Sequence, residues 1–234
     1  MSSARDIILQ RIGKAIEEGR APPRSERESG AEARLVAKER TVVPKGANVS
    51  GEEAIALFTQ KAQSVQTTIQ HVAAISNVAE AVSQYLTAKN LPQAIRRGSD
   101  PLLDRAGWEA QPLMEVTIGP SDGFDRVGLS VAVSAVAETG TLILSSGPDN
   151  PTTLNFLPDH HLVVLPADRI EGPLEQSLRG IVDHSSSNGG LLPRIVNLIT
   201  GPSRSGDVEQ QIVLGAHGPR AVHVILIGDH PTAV

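Results

Sequence analysis

Glu138 stands between Ala137 and a Thr139-Gly140-Thr141 turn that leads into the apolar run Leu142–Leu144. A carboxylate at a tight glycine turn beside buried strands is placed for general-base or nucleophilic work. The Thr139 and Thr141 hydroxyls and the Gly140 amide are donors for a bound anion. The same carboxylate serves equally well as a structural group that ties down neighbouring amides, and both readings stand.

A second chemical stretch is Gly201-Pro202-Ser203-Arg204-Ser205-Gly206-Asp207. Ser205 or Gly206 reads as a helix cap, with Asp207 and Glu209 in the first turn and Val208 and Ile212 one turn apart on one face. Backbone N–H groups at such a start lack intrahelical partners and carry partial positive charge. With Ser203, Arg204, Ser205 and Gly206 beside them they suit a carboxylate or phosphate, at about 1.5–3 kcal/mol per charge-assisted hydrogen bond. Asp207 and Glu209 are also able to satisfy that helix end themselves. His217, in a Gly215-Ala216-His217-Gly218-Pro219 turn, faces the same pocket or caps a carbonyl. Glu138, Thr139, Gly140, Thr141, Ser203, Arg204, Ser205 and His217 are therefore expected to converge at the C-terminal ends of the strands, where open α/β sheets bind ligands.

No metal site or cofactor is expected. His160 and His161 are adjacent, so on a strand they face opposite ways. His71, His184, His223 and His230 lack metal-ligand spacing.

The elements that must position these residues follow from periodicity. Helices are expected over 3–19, 52–64, 76–89 and 170–182. Strands are expected over 67–72, 94–96, 115–118, 141–145, 161–165, 195–200 and 222–227. Short turns fall at 101–105 and 152–157, and a Ser/Asn/Gly-rich loop at 184–190. Residues 195–200, the helix from Ser205 and residues 222–227 read as a strand–helix–strand unit with parallel strands. Alternation of strands and helices indicates an α/β domain with a mostly parallel sheet.

The chain has 234 residues, 40% hydrophobic and 20% charged, with five aromatics and no cysteine. Its core must therefore be Val, Ile, Leu and Ala. Residues 1–46 carry 10 Lys/Arg and 7 Asp/Glu, against 11 and 19 in the remainder. An acidic body with few aromatics argues against a nucleic-acid surface. No apolar run approaches the ~20 residues of a membrane span and no secretory leader is visible, so a cytoplasmic protein is expected. Residues 1–50 read as an N-terminal helix followed by an exposed charged arm with a helical turn near Ala31–Lys38, and 51–234 as the α/β domain.

The chain resembles the lactate-utilisation protein C family, within the LUD-domain superfamily. The resemblance rests on Ala137-Glu138-Thr139-Gly140-Thr141-Leu142, Gly147-Pro148, Leu157-Pro158-Asp159-His160-His161 and Leu165-Pro166-Ala167-Asp168-Arg169-Ile170. Ile199 through Glu209 and Leu214 through Pro219 complete it, with Ser205 and Ala216 where other residues are common. It covers about half the chain and implies an open α/β/α sandwich similar to the sugar-phosphate isomerase and CoA-transferase group. It also implies a non-redox role in oxidising L-lactate to pyruvate within a protein complex, with partner proteins that carry iron–sulfur clusters. A chain without cysteine cannot supply Cys ligation to such a cluster. A small carboxylate or phosphate ligand and a homo-oligomer are compatible with this reading. The competing reading is a stand-alone enzyme acting on a phosphorylated sugar or an acyl-CoA, built on Glu138 and the anion-ready helix start.

Overall fold

A computed structural model describes residues 4–19, 23–37, 43–187, 192–208 and 211–228. The chain divides into two compact units, Met1–Val42 and Val43–Val234. The first holds helices α1 (Ala4–Glu18) and α2 (Arg24–Ala37). Ile8, Ile12 and Ile16 lie on α1, at 57%, 50% and 45% exposure. Within the expected exposed charged arm, residues 24–37 form helix α2, longer than the helical turn expected near Ala31–Lys38. Its Ala, Glu and Arg are strong helix formers that outweigh Gly30, and Arg24 pairs with Glu28 one turn on at 2.8 Å.

The second unit is built on a six-stranded parallel sheet. Its strands are β1 (Thr68–Val72), β2 (Ala94–Arg97), β3 (Glu115–Ile118), β4 (Val127–Val131), β7 (His160–Pro166) and β12 (Ala221–Ile227). Their spatial order is β1-β12-β7-β4-β2-β3, and every neighbouring pair is parallel. A smaller four-stranded sheet has the order β8-β5-β6-β9, from β8 (Ile170–Glu171), β5 (Ser134–Val136), β6 (Thr141–Ser145) and β9 (Val196–Ile199).

Side-chain alternation sorts the layers. On β7, Leu162 and Val164 join Leu129, Ile225 and the α4 (Val78–Ala88) residues Val82 and Leu86 in one core. Val163 and Leu165 point the other way. They pack with Val224, Leu226, the small-sheet residues Leu142 and Leu144, and Phe58 of α3 (Gly51–Ser64). Burial on both faces explains why β7 and β12 read as unbroken apolar runs. Helix α7 (Leu174–Ser187) covers the small sheet through Ile181 against Val136 and Ile143. Two short helices, α5 (Pro101–Asp104) and α6 (Thr153–Phe156), lie in the connections after β2 and β6.

Three expectations are corrected. The helix from Ser205 is a β-hairpin, β10 (Arg204–Val208) with β11 (Gln211–Leu214), antiparallel with Arg204 opposite Leu214 and Ser205 opposite Val213. Val208, Ile212 and Val213 are β-branched and suit a pleated strand, and a short apolar run does not distinguish the two periods. Glu209, which the helix reading placed in the first turn, lies outside the described residues. Residues 196–199 do not run parallel to β12. They pair antiparallel with β6 in the other sheet, Ile143 opposite Leu198. Finally, residues 170–171 are strand, and the helix begins only at Leu174, after Pro173. It runs on through Ser187 into the expected loop, the rest of which, to Gly190, lies outside the described residues.

Candidate functional site

The strand order creates a switch point between β2 and β4. From β2 the chain leaves outward to β3. From β4 it leaves the opposite way, through β5, β6 and α6 to β7. The first connection packs Leu103 and Ala106 on the α4 face. The second packs Ala135 and Leu142 on the other face. The carboxyl ends of two parallel strands whose connections diverge in this way leave a crevice between them.

A cleft of about 770 Å³ lies there, lined by Asp100, Pro101, Leu102 and Arg105 after β2, residues 131–133 at the end of β4, and Arg169 beyond β7. Each wall has a local cause. Asp100 caps α5, its Oδ1 accepting from the Leu102 amide at 2.8 Å, with Pro101 at the first helical position. Buried Arg97 anchors the same turn, with Nη1 donating to the Gly98 carbonyl at 3.0 Å and Nη2 to Asp104 at 2.7 Å. The facing wall is the turn after β6. Asn150 Nδ2 donates to the Ser145 carbonyl at 3.0 Å, and Ser99 Oγ reaches across to Asp149 at 3.1 Å. Gly98 is required between the walls, because a Cβ there would run into the Asp149 carbonyl.

Charge in the cleft comes from Arg105, Arg169 and Arg194 against Asp100 and Asp149. Arg169 is held by donating to the Ala132 carbonyl at 2.8 Å. The Asp100 and Asp149 carboxylates are engaged with Leu102 and Ser99. Among the described residues, Arg105 and Arg194 form no ion pair. The cleft is thus a basin with spare guanidinium donors, a chemistry that takes carboxylate or phosphate.

None of the candidate ligand-binding or catalytic residues, Glu138, Thr139, Gly140, Thr141, Ser203, Arg204, Ser205, Gly206 and His217, lines this cleft. Glu138 Oε1 accepts from the Leu174 amide at 3.0 Å, at the N-terminus of α7, where the helix dipole favours a carboxylate. Thr139, Thr141 and Thr200 form a hydroxyl chain with both links 2.7 Å. Gly140, at φ +69°, lies against the α3 backbone at Lys61–Ala62. Arg204 Nη2 donates to the Val65 carbonyl at 2.9 Å, just past the end of α3. Ser205 and Gly206 sit in β10, so the anion-ready helix start does not exist. Ser203 and His217 do come together, in a cavity of about 230 Å³ shared with His161 and Val222. That cavity lies at the N-terminal ends of β7 and β12, and thus at the edge of the sheet opposite to the expected one.

The two cleft segments with a trace in the sequence are Gly147-Pro148 and Arg169. Both belong to the motifs quoted above, and Asp100-Pro101 is a legible helix start. Their convergence depends on strand order, which no local pattern carries.

The adjacent histidines do face opposite ways. His160 Nδ1 meets Tyr85 Oη at 2.8 Å, whereas His161 Nε2 meets Ser130 Oγ at 3.0 Å on the other face. Burial holds His161 well below the usual histidine range, at about 3, and His223 at about 4 with the Lys89 charge adding to the effect. Burial also pushes the Tyr85 hydroxyl up to about 12. Among the described residues no group of three His, Asp or Glu side chains is placed to hold a metal, and no helix is long and apolar enough to cross a membrane.

Comparison with known proteins agrees with this architecture. A crystal structure of a DUF162 family protein from Deinococcus radiodurans matches with a TM-score of 0.57 at 22% identity, covering 77% of this chain and 99% of that one. Proteins named Lactate utilization protein C, from Geobacillus kaustophilus and Bacillus subtilis, are 32% and 34% identical over 104 residues. These alignments span 44% of this chain and 43% of each relative, so the chain matches less than half the length of the curated relatives. The LUD domain profile matches residues 47–227. Over that span, which holds both sheets and the switch-point cleft, the chain belongs to the LUD domain family.

Proposed function

We propose that this chain is a non-redox subunit of an L-lactate utilisation system that acts with iron–sulfur partner proteins, and that its switch-point cleft binds a small carboxylate. The observation that carries the first part is the similarity to proteins named Lactate utilization protein C. The absence of cysteine supports it, since Cys-ligated electron carriers must then come from other chains. Arg105, Arg169 and Arg194 support the second part. A guanidinium presents paired N–H donors to a carboxylate, and three of them in one basin draw anions.

The test is an affinity pull-down of tagged protein from lactate-grown cells. The expected result is stoichiometric recovery of iron–sulfur proteins and loss of growth on lactate when the gene is deleted. Partnerless protein together with normal growth on lactate overturns the reading. Calorimetric titration with L-lactate and pyruvate tests the cleft. An Arg105→Ala/Arg169→Ala double variant should weaken binding by at least about tenfold, as loss of two charge-assisted contacts implies. The volume of the cleft, about 770 Å³, exceeds what lactate needs and favours one second reading, a stand-alone enzyme for a phosphorylated sugar or an acyl-CoA. Tight binding of such compounds, with none of lactate or pyruvate, would select it.

A further inference from the structure

The cavity shared by Ser203 and His217 carries an inference of its own. Its floor holds Asn155 and His161, both at 0% exposure. Ser130 Oγ links them, 3.0 Å from Asn155 Oδ1 and 3.0 Å from His161 Nε2. Two buried atoms of this trio have no hydrogen-bond partner, Asn155 Nδ2 and His161 Nδ1. A serine hydroxyl has one proton. When it donates to Asn155 Oδ1 it accepts from His161 Nε2–H, which leaves Nδ1 a bare acceptor and the Asn155 amide a spare donor. Turning the Asn155 amide over reverses both roles and still leaves one donor and one acceptor. The floor therefore presents a complementary unmet pair in either state, and a buried polar group without a partner is costly.

A hydroxyl group both donates and accepts through one oxygen. Single waters also do this, but about 230 Å³ is several times the ~30 Å³ share of one water. The remaining lining is mixed. Thr200, Ser203 and His217 add polar atoms near the rim, and Phe156, Ile199 and Val222 supply apolar wall. Among the described residues, no Lys, Arg, Asp or Glu lines the cavity. A charged ligand would find no fixed counter-ion in this lining.

We propose that this cavity is a binding site for a small uncharged molecule that carries a hydroxyl group on a short aliphatic body, anchored by His161 and Asn155. Ser130 is a positioning residue, which fixes the tautomer that faces the ligand. β7 is seven residues long, so this site and the switch-point cleft lie at ends of the strand about 20 Å apart. One small ligand cannot fill both, and this site stands independently of the lactate reading.

The test uses the full chain, 15N-labelled, with 1,2-propanediol and glycerol as probes and L-lactate as the charged comparison. The expected result is saturable movement of the His161 ring and Asn155 amide resonances at millimolar diol, with L-lactate weaker by about tenfold or more, as burial of an unpaired charge demands. Gly218→Leu blocks the rim. A Cβ at Gly218 meets Ser203 Cβ at 3.4 Å and Phe156 Cδ1 at 3.7 Å, ordinary contact, so the fold has room for it. This variant should lose diol binding while its chemical denaturation midpoint stays near wild type. His161→Gln provides a second check and should also lose it. No saturable movement of wild-type resonances by about 100 mM diol overturns the proposal, since even small fragments bind more tightly in a built pocket. L-lactate binding at these resonances as tightly as the diol overturns it too, as does unchanged affinity in a folded Gly218→Leu protein.

Discussion

The stability of this protein should fall between pH 6.5 and pH 5, because two histidines are buried in their neutral form. Burial lowers His161 from 6.5 to about 3 and His223 from 6.5 to about 4. Below pH 6.5 the unfolded chain takes up protons at these residues while the folded chain does not. Fewer protons bound in the folded state means that stability rises with pH, is fully present above 6.5, and is lost as pH falls below it. Each group contributes about 1.4 kcal/mol per pH unit in that window, so at pH 5 each costs about 2 kcal/mol and the pair about 4 kcal/mol. For a domain of ordinary stability, ~5–15 kcal/mol, that is a large share. His160, also lowered by burial, acts in the same direction. The assay is urea unfolding at half-unit pH steps from 7.5 to 5, read by circular dichroism. His161→Gln should remove close to half of the pH slope, whatever it does to stability at pH 7.5. A wild-type curve flat within about 1 kcal/mol from pH 7 to 5 would refute the argument that these rings are neutral and uncompensated.

Glu138→Ala should destabilise by about 1–2 kcal/mol, because it removes the acceptor for the Leu174 amide at the start of α7, whereas Glu138→Gln should cost less than about 1 kcal/mol. Lactate growth measured beside urea unfolding decides its role: Glu138→Gln that is stable yet inactive would make this carboxylate a catalytic group. Gly140→Ala should destabilise by several kcal/mol, since φ is +69° and a Cβ would meet the α3 backbone at Ala62; a midpoint near wild type would show that α3 and this turn are not packed as described. Gly98→Ala should push the Asp149 turn away from the exit of β2, and thereby lower both stability and anion affinity in the cleft; retained affinity by calorimetry would remove this turn from the site.

What was legible in the sequence is what local pattern determines. The strand runs at 68–72, 94–97, 115–118, 160–166 and 221–227 were readable because β-branched and apolar residues cluster between turn residues. The opposite orientation of His160 and His161 followed from the two-residue period alone. The hairpin at 204–214 was not readable, because Val208 and Ile212 satisfy a helical stripe as well as a strand does. What decides between them is pairing of Arg204 with Leu214 and Ser205 with Val213. With the helix went the anion site at its start, and Arg204, read as a ligand group, is spent on the Val65 carbonyl.

Sheet topology also sets the placement of both cavities. The second sheet, whose strands β5 and β6 come between β4 and β7 in the chain, takes β9 antiparallel to β6 and removes it from the parallel layer where a strand–helix–strand reading had put it. Ser203 and His217 are thereby carried to the N-terminal ends of β7 and β12. The carboxyl ends are left to the turns after β2, β4 and β6, whose residues are unremarkable one by one. Asp100 is a helix cap, Asn150 closes a turn, and Arg169 follows a strand. They converge on one cleft only because β2 and β4 are neighbours with diverging connections. A chemical motif shows in sequence when its residues share one turn. A site assembled from several separate turns shows only once the strand order is known.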